Sequence, residues 1–373
     1  MRAVATARLN MAAISSQLQQ TAPDERPRRK PFRSPWLSCR TYGSIEIMRK
    51  LTCPACRQSV FFEQASCTNC RVSLIFDASG LLFCSGQAMS HCANRLLIGC
   101  NWAVNDDGRY CPSCRLTRTI PSLQTERNVL LWRRVEESKR RLLYDLKRLT
   151  LPLGRDGRKG IAFDILADDL GQPVMTGHLD GLITLSLSEA DDAMREMRRA
   201  LFREPYRTLL GHFRHEVGHF YWELLVDNTR LHRAFRLLFG DESAEYRTSI
   251  ERYHARTVRD YDHSGFISEY ATSHPWEDWA ETFAHFLHIV STLDSASSLP
   301  LSVDSRSHET FQDPYMESDF EALLASWTPV AYTMNELNRS MGLGDAYPFD
   351  LSPAVKGKLH FVHMAILTFR REA

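Results

Sequence analysis

Leu209, Leu210, Phe213, Val217, Phe220 and Leu224 recur at helical spacing and fall on one side of a wheel drawn at about 100° per residue. His212, His215 and His219 fall on the other side. The pattern predicts a helix buried along one face that offers its histidines from the opposite face, as the floor of a cleft requires. A second stripe, Trp279, Ala280, Phe283, Leu287 and Val290, predicts another helix, with Pro275 suited to its first turn. Glu277, Glu281, His285 and His288 share the far side of that helix, a metal-facing side by its two histidines. Upstream, Leu131, Val135, Leu142, Leu146 and Leu149 place a long helix over 126–149. Its Arg and Lys residues are interrupted by Glu136, Glu137 and Asp145, as on a solvated face rather than a nucleic-acid surface.

Two strands are expected between these helices, at Ile161 to Leu166 and at Gly181 to Leu187. In the second, Ile183, Leu185 and Leu187 alternate with Thr184 and Ser186, the period of a half-buried strand. Ser188 with Asp191 then opens an Arg-rich helix that ends before Pro205, itself suited to the first turn of the next helix. A turn-rich, charged connector runs from Gly154 to Gly160. The fold class is therefore α+β, mostly helical with a small sheet over 122–373.

The length of 373 residues suggests two or three domains and a core that needs no staples. With 46 Lys+Arg against 45 Asp+Glu, the charge makes no global case for nucleic acid. No apolar run reaches the roughly 18 residues of a membrane span; Phe361 to Phe369 is short and carries His363. The ten cysteines change the picture, because all lie between Cys39 and Cys114. Such crowding points to metal thiolates in a reducing compartment, the cytoplasm, rather than to secreted disulfides. Residues 1–48 are rich in Arg, Pro and Ser and poor in acids, and lack the apolar core of a secretory signal. They read as a disordered extension, a start placed upstream of Met48, or a transit peptide.

Residues 49–121 form a zinc-ribbon module. Cys53, Cys56, Cys67 and Cys70 make two C-x2-C pairs ten residues apart, so a hairpin can bring both pairs round one tetrahedral ion. Four thiolates close the coordination sphere, and the site is structural. Cys92, Cys100, Cys111 and Cys114 are the second set, with Cys84 and His91 as substitute ligands. Asn105-Asp106-Asp107-Gly108 marks a turn between its members. The module is too short and polar to fold on apolar burial alone, so metal supplies much of its stability.

His215-Glu216-Val217-Gly218-His219 is H-E-x-x-H: two histidines one turn apart reach a single zinc, and Glu216 beside them accepts a proton from water activated there. A third ligand must come from downstream. Glu281 is the first choice, and Glu277, one turn earlier on the same face, is its rival or a supporting partner. His285 ranks below both. Tyr270, His274 and His178 are candidates to hydrogen-bond a developing oxyanion.

Several runs resemble one family. They include Cys92-Ala93-Asn94-Arg95, Cys100-Asn101-Trp102, Cys114-Arg115-Leu116-Thr117-Arg118-Thr119-Ile120-Pro121 and Thr176-Gly177-His178. The two longest surround the H-E-x-x-H, from Glu204 to His219, and the downstream helix, from Ser273 to Thr282. The family is the bacterial putative zinc-binding metallopeptidases, with an N-terminal zinc ribbon and a gluzincin-like domain, and the likeness runs from about Lys50 to Phe349. The resemblance implies a zincin-type fold, His215 and His219 as ligands, Glu281 as the third, and Glu216 as general base. One catalytic and two structural zincs follow, with a peptide or protein substrate and no membrane. The alternative is a zinc-ribbon module contacting protein or nucleic acid, with a peptidase-like domain that is not catalytic. A zinc hydrolase acting on an amide outside proteins is a third possibility.

Overall fold

The computed structural model describes residues 51–106, 108–153, 160–168, 174, 176–202, 208–256, 262–298, 313–347 and 351–372. The N-terminal extension with Cys39, the connector at 154–159 and Pro205 lie outside these residues. Within them the protein is mostly helical with small sheets, and the cysteine-rich module precedes the helical domain.

The cysteine-rich module is built from short antiparallel pieces. Bridges join Thr52 to Ser59 and Ser66 to Ser73, one at each C-x2-C pair. Strand β1 (Leu74–Asp77) pairs antiparallel with β2 (Leu82–Ser85). Then β3 (Ser90–His91), the one-turn helix α1 (Arg95–Ile98), β4 (Ala103–Val104) and the one-turn helix α2 (Pro112–Arg115) follow, with β3 and β4 antiparallel. Phe62, Phe76 and Trp102 form its small aromatic core, with Phe62 edge-on to both of the others. Arg95 ties the layers by donating to the carbonyls of Leu74 (3.1 Å) and Ala65 (2.6 Å).

The chain leaves the module through β5 (Thr117–Thr119), which pairs in parallel with β6 (Ala162–Leu166) of the large domain. The expected boundary near residue 121 thus falls after a strand that already belongs to the large domain's sheet. β7 (Gly177–Leu179) and β8 (Leu182–Ser186) complete it in the order β5-β6-β8-β7. β6 and β8 are the two expected strands, and β8 is the one whose alternation predicts it. The three-residue β7 is too short for a pattern to show, and it stands at the edge, antiparallel to β8.

Helix α3 (Glu126–Arg148) starts at Thr125, whose hydroxyl accepts from the Asn128 amide (3.2 Å). The expected solvated face holds for Arg127, Arg133 and Lys147 but not for Glu136, Lys139, Arg140 and Asp145, which are fully buried. The helix is an inner layer, covered by the cysteine module on one side and by the large domain on the other. Buried charge of this kind must be paired. Lys139 binds Glu136 (2.8 Å) and Thr117; Asp145 accepts from Arg214 (2.7 Å) and from the Tyr315 hydroxyl (2.7 Å); Arg148 bridges Asp294 (3.1 Å) and Asp313 (2.7 Å).

Helix α4 (Asp192–Phe202) is capped by Asp191, which accepts from the Met194 amide, and not by Ser188, which sits in a preceding 3-10 turn against Ser186. Helices α5 (Leu209–Leu225), α6 (His232–Phe239) and α7 (Tyr246–His254) follow, then α8 (Pro275–Ser298), α9 (Phe320–Ser340) and α10 (Pro353–Glu372). Among the described residues no helix is long and apolar enough to cross a membrane. Helices α5 and α8 share the most extensive helix–helix contact among the described residues. A Cβ on Gly218 would stand 3.0 Å from the Ala280 Cα and 3.3 Å from its carbonyl oxygen. The Trp279 indole donates to the Gly218 carbonyl at 2.8 Å across the same seam. The histidine side of α5 floors a cleft as expected, with His215, Glu216 and His219 lining it, although His215 and Glu216 are largely buried.

Because backbone stands where the methyl would go, Gly218→Ala should push the two helices apart. A loss of about 1–3 kcal/mol is expected, read as a lower urea midpoint with an unchanged slope; an unchanged midpoint would show the seam to be soft.

Candidate active site

The eight expected cysteines form two clusters, Cys53/Cys56/Cys67/Cys70 and Cys92/Cys100/Cys111/Cys114. Neighbouring sulfurs are 3.6 Å apart in the first (Cys53–Cys70, Cys56–Cys67), and 3.6 Å (Cys100–Cys111) and 3.8 Å (Cys100–Cys114) apart in the second. A disulfide needs about 2.05 Å, whereas four sulfurs at about 2.3 Å from a tetrahedral zinc stand about 3.8 Å from one another. Both clusters therefore fit zinc. Cys84 lies in β2 and His91 in β3, and neither belongs to a cluster. In the second cluster the amides of Cys111 and Cys114 donate to the sulfurs of Cys92 and Cys111, both at 3.4 Å.

Arg140 on α3 adds an independent sign of charge there. It is fully buried, and neither Nη1 nor Nη2 has a hydrogen-bond partner. Hydrogen bonds from Cys111 and Cys114 pull the Cys100 thiol's pKa down, and the positive charge of Arg140 adds to them. Four thiolates around a dication carry a net charge of about −2, which the guanidinium offsets. Arg140→Met should accordingly weaken zinc retention by this cluster by about tenfold or more, measured as faster zinc release to a chromogenic chelator; identical release kinetics would remove Arg140 from the account.

On the large domain, His215 and His219 of α5 converge with Glu277 of α8. Glu277 Oε2 lies 2.9 Å from His215 Nε2 and 3.6 Å from His219 Nε2, and it is buried with no hydrogen-bond partner. Donors about 2.0 Å from a tetrahedral zinc stand about 3.3 Å apart, so these three atoms also fit the ion. The other oxygen of Glu277 accepts from the Tyr246 hydroxyl at 2.6 Å.

Glu281, the expected third ligand, is elsewhere. Its Oε1 lies 2.7 Å from Nδ1 of His215 and its Oε2 accepts from the Ser268 hydroxyl at 2.6 Å. The cause is helix register: four residues along α8 is about 6 Å of rise, and the histidine Nε2 atoms sit level with the first turn. From there Glu281 is placed to accept the Nδ1 proton of His215, which would leave Nε2 as the nitrogen to meet a bound ion. Burial opposes its charge, but His215 holds its pKa down at about 2. His285 and His288 lie further along, against the Tyr347 hydroxyl and the Arg214 guanidinium.

Glu216 lines a cleft of about 330 Å³ that opens beside the histidines. Its Oε1 is 3.3 Å from Nε2 of His212, whose Nδ1 faces Glu189 at 3.6 Å. Burial disfavours charge on His212, but the two carboxylates lift its pKa to about 9. Burial likewise opposes charge on Glu216, and His212 outweighs it, so the Glu216 carboxyl titrates below its usual range. The sequence signal for this contact was the four-residue spacing of His212 and Glu216, which sequence reasoning left without a role.

Of the three oxyanion candidates, Tyr270 and His178 line the cleft, with ring centroids 5.8 Å from His215 and 6.3 Å from His219 respectively. Nε2 of His178 accepts from the Gly181 amide at 2.9 Å, and burial lowers its pKa to about 4. His274 is turned to the backbone: Nδ1 accepts from the Trp276 amide and Nε2 faces the Ala244 carbonyl, both at 3.1 Å. It braces the start of α8. Tyr246 was missed altogether, because nothing local links it to a glutamate 31 residues later.

This combination of an H-E-x-x-H helix, a glutamate from a later helix and preceding four-cysteine clusters defines a class of zinc-binding peptidase-like proteins. The chain belongs to the putative zinc-binding metallo-peptidase family, whose model matches residues 128–365, and a zinc-ribbon domain model matches residues 50–125. It is similar to uncharacterized proteins of Mycobacterium bovis and Mycobacterium tuberculosis, 41% identical over 329 residues that cover 86% of this chain and 95% of theirs. No solved structure matches it.

Proposed function

We propose that the chain is a zinc-dependent peptidase that hydrolyses peptide bonds in this cleft, with His215, His219 and Glu277 as metal ligands and Glu216 as general base. The supporting observation is the buried, unpartnered Glu277 Oε2 facing both histidines, with Glu216 beside them in an accessible cleft. When bound, zinc polarises the scissile carbonyl and makes an attacking water more acidic. Glu216, ionised at neutral pH, takes the proton from that water and passes it to the leaving amine. The His212 cation steadies the carboxylate while it waits. Tyr270 keeps its proton, since burial and then Glu277 raise its pKa well above the ordinary value, and its hydroxyl is the donor for the developing oxyanion.

β7 is the edge of its sheet and lines the cleft, so an extended peptide can add to it as a further strand. That feature favours a peptide over a small amide outside proteins. Both cysteine clusters are structural in this reading, because four thiolates leave no position for water. The ribbon then serves recognition; Leu96 (99% exposed) and Phe61 (75%) favour a protein over a nucleic-acid contact. Metal-thiolate clusters persist in a reducing compartment, which supports a cytoplasmic protein in this reading.

Elemental analysis should find about three zincs per chain, falling to about two in His219→Ala and in Glu277→Ala. Glu281→Gln should keep the third zinc, bound some 10–100-fold more weakly. Loss of it only in the Glu281 variant would return the ligand role to Glu281. In Glu216→Gln the metal should stay while turnover of a peptide library is abolished; full turnover in that variant would refute the general-base assignment.

A further inference from the structure

The cleft has an unbalanced charge. Four carboxylates line it, those of Asp180, Glu216, Glu223 and Glu277, and among the described residues no Lys or Arg does. Glu277 faces the metal position and Glu216 faces His212, which leaves Asp180 and Glu223 over. Neither makes an ion pair among the described residues, and both are exposed at the cleft. They arrive from different elements. Asp180 sits in the two-residue β7–β8 turn with φ 49°, followed by Gly181 with φ 81°. Glu223 lies one turn beyond His219 on α5, so it faces the same side as the histidines. Burial, and then repulsion from Asp180 and Asp227, raises the pKa of Glu223, which is the cost of like charges with no cation between them.

A second, independent feature points the same way. The indoles of Trp222 and Trp276, with ring centroids 5.3 Å apart, and the phenol of Tyr246 line the same cleft. Aromatic faces attract ammonium and guanidinium groups, and more strongly where water is partly excluded. Carboxylates and π-faces with no competing cation make a receptor for positive charge, not for an acidic or purely apolar residue.

We propose that the cleft selects peptides through a positively charged group beside the scissile bond, with Asp180 and Glu223 as its counter-ions. The group is a Lys or Arg side chain or the amino terminus of the substrate, since all present the same cationic donor chemistry. The inference rests on the reading of this cleft as the active site.

The test separates selectivity from catalysis by measuring binding in the zinc-loaded, full-length Glu216→Gln protein. Four fluorescent tetrapeptides serve as probes: Ala-Ala-Lys-Ala and Ala-Ala-norleucine-Ala, each with a free and an acetylated amino terminus. At least tenfold tighter binding is expected for a probe carrying the recognised charge, lysine or free amine, and the pattern across the four tells which. That advantage should shrink with added salt and vanish on combining Asp180→Asn with Glu223→Gln. Asn tolerates the left-handed turn conformation at 180, and Glu223 is exposed, so neither change disturbs the fold. Equal affinity for all four probes, including no binding of any, overturns the proposal, as does a preference that survives both substitutions. Cleavage is scored separately in the wild type. Charge-selective binding without cleavage of any probe would count against the hydrolase reading and leave the selectivity standing.

Discussion

The close approach of α5 and α8 at Gly218 and Ala280 is the constraint on which the site depends. Side chains at this crossing would separate the helices, and Glu277 would no longer reach the histidine nitrogens. With only a hydrogen on Gly218, the Trp279 indole reaches the Gly218 carbonyl and ties the two helices in register. That register puts Glu277 level with Nε2 of His215 and Glu281 level with Nδ1. One helix thus supplies both the group that faces the metal position and the group that orients a histidine toward it, at a spacing of one turn.

Helix α3 carries this arrangement outward. It is buried on both sides, and its charged residues are divided between the two modules. Arg140 stands by the second cysteine cluster with neither Nη1 nor Nη2 hydrogen-bonded, Glu136 and Lys139 join Thr117 of β5, and Asp145 binds Arg214, the residue before His215. Burying these charges is costly unless each is matched, so the helix tolerates few alternative placements. The ribbon and the large domain share it, and β5 crosses between them to join the sheet.

Inside the cleft, electrostatics assign roles to chemically similar groups. Glu216 is held ionised by His212, Glu277 by the histidines it faces, and Glu281 by the Nδ1 proton of His215. Asp180 and Glu223 make no ion pair among the described residues. In the proposed reading the carboxylates of one site thus serve as base, metal-facing group, support and unmatched charge, and the neighbours alone distinguish the cases.

The sequence by itself determined the elements and the chemistry whose signals are local. The H-E-x-x-H helix, the α8 stripe, the alternating strand β8 and the first cysteine cluster are read from spacings of two to four residues, because helix and strand periods and the bite of a C-x2-C pair are local geometry. Helical periodicity could also bring Glu277 and Glu281 to one face, but it could not choose between them. That choice depends on how far α8 slides along α5, which Gly218 and Ala280 decide across a gap of more than sixty residues in sequence. Tyr246 beside Glu277, the edge strand β7 and the burial of charge along α3 belong to the tertiary structure for the same reason. Each depends on a partner from a distant segment, and no pattern within its own segment carries that information.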